Sequence, residues 1–386
     1  MAKIAVISTM AGFPWGGSEY LWVAMAEQAL LEGHEVFISI FDWSVNHPAI
    51  IQLQHKGAQL LPRPRFPQAN LISRISRKIS RKLPLLNSLY PQSHYHSILD
   101  YKPDVICINE GHVYNGVYEP HLINFLHTSS IPYLIVSHLN EDNSKLDSNT
   151  RTTAQKLFCS AGYHVFVSHH NLKLTERQIA QSLPNAVVIQ NPVNLSDWSR
   201  LPWPYQSTIC FASVARLEVG FKGQDILFEI LSSPIWQQRD WQCHLYGSGP
   251  DQAYLEALTH HYGIADRIKF MGHVHDIRSI WSDNHILLLP SRSEGTPLAL
   301  VEAMLCGRPA VVTDVGGNAE WIEDVQTGFV AEAPTPKLFD AALNRAWLAQ
   351  DNWKQMGMKA HEYAISKLDY SPGRSLLKLV LETSKI

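Results

Sequence analysis

Pro290–Val312 reads PSRSEGTPLALVEAMLCGRPAVV. The apolar run before it, His285–Leu289, has the length and composition of a buried strand. A polar, Gly-containing loop follows, then a helix from about Pro297, where a proline is expected because its missing N–H would be unpaired at a first helical position. Ala310–Val312 then reads as the next strand. Strand, loop, helix and strand in this order form one unit of a parallel sheet.

The same alternation extends in both directions. Upstream, Lys3–Ser8, Val36–Ile40, Val105–Ile108, Tyr133–Ser137, Val165–Val167 and Val187–Ile189 are strand-like. Ser18–Glu32, Pro120–His127 and Thr150–Ser160 read as helices between them. Asn191–Gln206 (NPVNLSDWSRLPWPYQ) is Pro-rich and aperiodic, as a linker would be. The pattern then restarts with Thr208–Val214, Cys243–Tyr246, Ile268–Met271 and Ile286–Leu289. The predicted class is α/β, with two doubly wound Rossmann-like domains facing across a cleft. Residues 1–190 form the first domain, 191–206 the linker and 207–368 the second domain. Ligands of such sheets sit beyond the carboxyl ends of the strands, so the cleft is the expected site.

A chain of 386 residues is long enough for two substantial cores, and 45% hydrophobic with 17% charged residues is a globular composition. The net charge of −3 argues against a generally basic nucleic-acid binder. Five scattered cysteines without a CxxC fit reduced thiols, no apolar run approaches the roughly 20 residues of a membrane helix, and Lys3–Ser8 is too short for a signal core. A soluble cytoplasmic protein is expected.

The charge is uneven. Between Trp43 and Leu99 there are eight Lys or Arg and no acid, which leaves the rest of the chain at −11. Within Leu71–Leu83, Ile72, Ile75, Ile79 and Leu83 would line one helical face, with Arg74, Arg77, Lys78 and Arg81 opposite. Such a helix suits the anionic inner face of a membrane or an anionic acceptor, and equally an ordinary solvated face.

Several motifs fall at strand ends. Gly12-Phe13-Pro14-Trp15-Gly16-Gly17-Ser18-Glu19 follows the first strand, and Gly16 and Gly17 would let a ligand approach the backbone; a tight turn explains them as well. Arg216 and Lys222 follow the strand that opens the second half, and two cations there can neutralise a pyrophosphate or be a solvated pair. In the Pro290–Val312 segment the N–H groups of Gly295, Thr296, Leu298 and Ala299 would surround a phosphate. Glu302, inside the helix, could reach a ribose hydroxyl; on spacing alone Glu294 could be a cap and Glu302 solvated. His138 ends a first-half strand. There is no Asp-x-Asp, HExxH or Walker loop, so no metal site of those kinds is supported.

Taken together, GGSE near the N-terminus, Arg216 with Lys222, the pair Glu294/Glu302 eight positions apart, and Gly316-Gly317-Asn318-Ala319-Glu320 resemble glycosyltransferase family 4, retaining enzymes of the GT-B fold. The resemblance implies that Arg216 and Lys222 bind the donor diphosphate, Glu294 the transferred sugar and Glu302 the ribose. It implies that Met271-Gly272-His273 meets the base through its backbone and that His138 is an active-site histidine. The last helix, about Ser371–Lys385 within residues 369–386, would cross back onto the first domain. The implied reaction moves a sugar from a nucleotide-sugar donor, by analogy a UDP-sugar, to an acceptor hydroxyl by front-side displacement without a metal or other cofactor. A nucleotide-sugar epimerase of the same fold and a non-catalytic sugar-nucleotide-binding protein are the alternatives. The acceptor is either lipid-linked, with peripheral contact to an anionic membrane through the basic helix, or small and soluble, stacked on Phe13, Trp15 or Trp43.

Overall fold

The structure, a computed structural model, describes residues 1–64 and 95–385. The first sheet has seven parallel strands in the order β3-β2-β1-β4-β5-β6-β7. They are β1 Lys3–Ser8, β2 Glu35–Phe41, β3 Gln59–Arg63, β4 Val105–His112, β5 Tyr133–Leu139, β6 His164–Phe166 and β7 Ala186–Val188. The second has six in the order β10-β9-β8-β11-β12-β13. These are β8 Ile209–Val214, β9 Trp241–Tyr246, β10 Ile268–Gly272, β11 Ile286–Leu289, β12 Ala310–Thr313 and β13 Phe329–Ala331. The chain order reverses between β1 and β4 in the first sheet and between β8 and β11 in the second. Each reversal opens a crevice at the strand carboxyl ends.

Continuous apolar strands are buried on both faces, as parallel sheets require. Ile4, Ala5, Val6 and Ile7 of β1 and Leu287 and Leu288 of β11 are wholly buried. The helix Glu19–Leu31 has apolar residues all round because it is covered twice. Leu21, Trp22 and Met25 join the core over the first sheet, and so do Leu376, Leu377 and Val380 of the helix Pro372–Thr383. Gly373 makes that approach possible: a Cβ there would stand 2.6 Å from the Ala24 carbonyl. The C-terminal helix therefore lies on the first domain, tied also by Tyr163 Oη donating to Glu382 at 2.8 Å.

Several boundaries differ from the sequence reading. Strand β4 runs on from Ile108 to His112 and β5 from Ser137 to Leu139, so polar residues at the carboxyl ends stay in the sheet. Two edge strands, β3 and β13, were not foreseen. Pro62 lies within β3, tolerable because β3 pairs only with β2. Pro297 is the residue before the helix Leu298–Leu305, with ψ 87°, and not its first residue. Residues 191–206 lie against the second domain: Arg308 donates to the Pro202 carbonyl at 2.6 Å and Arg278 to the Asp197 carbonyl at 2.8 Å. The basic stretch with Arg74, Arg77, Lys78 and Arg81 lies outside the described residues. No helix among the described residues is long and apolar enough to cross a membrane.

Candidate active site

A cleft of about 1270 Å³ runs between the two domains and takes its walls from the loops after β1, β4, β5, β8 and β11. Those after β1, β4, β8 and β11 are the loops that the two order reversals single out. Gly16 and Gly17 are in the first-domain wall, together with His138. Across from them stand Arg216, Lys222, Glu294 and the backbone from Gly295 to Ala299, with Glu302 behind.

Lys222 ends a short helix, Val219–Lys222, that Gly223 closes at φ +65°. A Cβ on Gly223 would lie 2.1 Å from the Pro290 carbonyl, so only glycine brings this turn against the loop after β11. The result is an ion pair: Lys222 Nζ is 2.8 Å from Glu294 Oε1, which also accepts from Ser291 Oγ at 2.7 Å. Glu294 is therefore held by a cation and a hydroxyl rather than serving as a helix cap. Gly316, at φ +52°, supports it from beneath, since a Cβ there would meet the Glu294 carbonyl at 2.1 Å.

Four N–H groups, those of Gly295, Thr296, Leu298 and Ala299, have no protein acceptor among the described residues. The last two are free donors of the helix N-terminus and the first two belong to the loop that leads into it, and an anion is the ligand such a terminus favours. Arg216 holds Glu218 at 3.1 Å and lies over the Phe13 ring, 4.1 Å from its centroid, so it spans the cleft to the glycine-rich loop.

Glu302 is not solvated. It is 6% exposed, its carboxyl has no hydrogen-bond partner among the described residues, and burial pushes its pKa up to about 7. A carboxyl in that state can accept the hydroxyls of a polar ligand that reaches it. His138 is also buried, and burial pushes its pKa down to about 3, which keeps the ring neutral. Its Nε2 lies 3.0 Å from Asn109 Oδ1.

Met271 is not brought to the site. Its side chain is 45% exposed and does not line the cleft, whereas His273, Val274 and His275 do. Strand β10 ends at Gly272 (φ +68°), and the cleft-lining residues come directly after it. Trp15 lines the first-domain wall, stacked on His47 with ring centroids 3.7 Å apart, while Trp22 is core. Trp43 does not line the cleft and borders a small pocket beside Glu19 and Ile50.

Sequence reasoning missed Asn109 and Asn171. Asn109 was marked by its position, a polar residue directly after the apolar Val105–Ile108. Asn171 carried no local signal, because its role depends on the second domain. Among the described residues no group of three or more His, Cys, Asp or Glu is arranged to hold a metal ion.

Comparison with known proteins follows this geometry. Residues 208–348 match the family model described as glycosyl transferases group 1, and this segment contains Arg216, Lys222, Glu294 and Glu302. The lipopolysaccharide 1,6-galactosyltransferase of Escherichia coli K12 is 30% identical over 203 residues, 50% of this chain and 54% of that protein. The uncharacterized glycosyltransferase of Haemophilus influenzae is 28% identical over 189 residues, 48% of this chain and 53% of that one. The chain thus spans about half the length of these relatives. Among solved structures, Anabaena HepE in complex with UDP superposes with a TM-score of 0.70 at 18% identity, covering 99% of both chains. The lipopolysaccharide outer core galactosyltransferase WaaB gives 0.69 at 19%, covering 98% of this chain and 99% of that one. The chain has the GT-B fold, and its second half carries a glycosyl transferases group 1 domain.

Proposed function

We propose that the chain is a retaining, metal-independent glycosyltransferase of family 4 that moves a sugar from a nucleoside-diphosphate sugar to an acceptor hydroxyl. The observation that carries this reading is the Lys222–Glu294 ion pair standing beside the free N-terminus of the helix Leu298–Leu305. A cation and four unpaired N–H groups face one cleft, where negative charge would develop on a departing diphosphate. The match of residues 208–348 to the glycosyl transferases group 1 model supports it further.

In this reading Lys222, Arg216 and the helix N-terminus hold the diphosphate, Glu294 the transferred sugar and Glu302 the ribose. His273 and its neighbours border the base. The bond between the anomeric carbon and the β-phosphate oxygen breaks with its electron pair passing to the phosphate. The acceptor oxygen bonds to the anomeric carbon on the same face and gives its proton to the departing phosphate oxygen. Fixed cations and N–H groups stabilise this charge without reorganisation, which is where most of the rate enhancement would arise. A UDP-sugar is favoured, because structures of HepE hold UDP and UDP-glucose. The first-domain wall, with Trp15 stacked on His47, suits a ring-bearing acceptor.

The test is slow donor hydrolysis followed by proton NMR. An α-linked donor should first release the α-anomer of its sugar. First release of the β-anomer would overturn retention, and an epimeric nucleotide-sugar as the product would favour the epimerase reading.

A further inference from the structure

Glu19 closes the Gly16-Gly17-Ser18-Glu19 motif but does not line the cleft. It is buried, and its carboxylate collects four donors. Trp22 Nε1 donates to Oε2 at 2.9 Å. Oε1 accepts from Asn109 Nδ2 at 2.9 Å, from Ser8 Oγ at 3.2 Å and from Ser18 Oγ at 3.3 Å. Arg63, itself buried, donates to the Ser8 carbonyl close by. Three of these donors meet at Oε1 and one at Oε2, so both oxygens are held.

The arrangement dictates the next two links. An indole N–H only donates, so Oε2 is an acceptor. Asn109 turns its amide nitrogen to Oε1, so its oxygen must face His138 Nε2, at 3.0 Å. That oxygen only accepts, so Nε2 must carry the ring proton. A neutral imidazole has one proton, which leaves Nδ1 bare. Nδ1 is buried and has no partner among the described residues, on a residue that lines the cleft.

We propose that Glu19 is a positioning residue, which through Asn109 fixes His138 as the Nε2–H tautomer and keeps Nδ1 free to accept a hydrogen bond from a ligand hydroxyl. Free imidazole exchanges between both tautomers; here one carboxylate, two links away, selects one. The sequence motif then has two functions: its glycines shape the loop, and its glutamate sets a histidine more than a hundred residues downstream.

Glu19→Gln gives a defined contrast. Trp22 N–H would still need an acceptor, so the new amide would turn its oxygen to Trp22 and its nitrogen to Asn109. Asn109 would flip, present its own nitrogen to His138 Nε2, and force the proton onto Nδ1.

The experiment is nitrogen NMR of the full chain labelled with ¹⁵N-histidine, with the His138 signals identified by their loss in His138→Gln. The expected result at pH 7 is a protonated Nε2 and a bare Nδ1 in the wild type, reversed in Glu19→Gln. A wild-type His138 protonated on Nδ1, or a Glu19→Gln spectrum unchanged from wild type, would overturn the proposal. If Glu19→Gln does not fold, the wild-type spectrum still decides the tautomer, and Asn109→Ser, which severs the link, should then give a mixture of tautomers. The kinetic arm rests on the proposed function: kcat in Glu19→Gln should fall about tenfold or more, with nucleotide affinity changed less than about twofold. Absence of turnover in the wild type would count against that function alone, because the ring-nitrogen pattern is read without it.

Discussion

The carbonyl oxygens of His138 and Glu294, one from each domain, share a single donor: Asn171 Nδ2 lies 2.9 Å from the first and 3.1 Å from the second. Two more side chains of the loop after β11 reach first-domain carbonyls. Thr296 Oγ1 donates to Val167 at 2.6 Å and Ser293 Oγ to Asn140 at 3.1 Å. The histidine and the glutamate are therefore set relative to each other by a buried seam.

Asn171→Ala should loosen that seam without touching a donor-binding group. The loss of two buried hydrogen bonds should cost about 1–3 kcal/mol of stability. Turnover should fall about tenfold or more while nucleotide affinity, supplied by the second domain, stays within about twofold. Calorimetric titration with nucleotide beside steady-state kinetics measures the split; an equal loss in both would place Asn171 in binding instead.

Gly316→Ala should be harsher. Its φ of +52° disfavours any L side chain, and a Cβ would sit 2.1 Å from the Glu294 carbonyl. We expect destabilisation of about 1–3 kcal/mol from the backbone conformation alone, together with displaced Glu294 and lost turnover. Thermal unfolding of Gly316→Ala, with Gly17→Ala as the stability comparison because no atom lies within 4 Å of its added Cβ, would check the first effect, and kinetics of Gly316→Ala the second.

How much of this was legible in the sequence follows from what each feature depends on. The succession of inner strands within each half followed from apolar runs, the short edge strands β3 and β13 did not, and the Arg216, Lys222, Glu294 and Glu302 positions followed from residue types at strand and helix ends. Burial of Glu302 did not follow, because its surroundings come from elements distant in sequence. Asn171 and the Glu19–Asn109–His138 line were hidden for the same reason: their meaning lies in contacts between segments, not in spacing.

With Glu302 holding the ribose as proposed, donor binding should depend on pH. Burial raises its pKa to about 7 in the free protein, and ribose hydroxyls donating to it would favour the ionised form. Affinity should therefore rise as pH increases toward 7 and level off above it, by at most about tenfold per unit. Glu302→Gln should flatten the curve. His138, with its pKa near 3, adds no limb between pH 5 and 8.

Glu110 makes stability depend on pH in the opposite sense to a surface carboxylate. It is fully buried, accepts from Gly116 N–H at 2.7 Å, and contacts Ser137 Oγ at 3.2 Å, which in turn meets His164 Nε2 at 2.9 Å. Burial raises its pKa to about 8 from 4.5. The folded state holds the proton longer than the unfolded one, so this group costs stability as pH rises from 4.5 through 8, by at most about 1.4 kcal/mol per unit. Glu110→Gln should be the more stable form at pH 9 and similar to wild type at pH 4. Urea unfolding at the two pH values compares them.

In the proposed function Lys222 and Glu294 operate a metal-free nucleotide-sugar site. Its most direct test is release of nucleoside diphosphate from UDP-, GDP- and ADP-sugars in the presence of EDTA, by wild type, Lys222→Ala and Glu294→Ala. Release is expected from one donor class, a UDP-sugar, and should fall by about 10²-fold or more in both variants. Turnover that survives both substitutions, or that requires an added divalent ion, would contradict it.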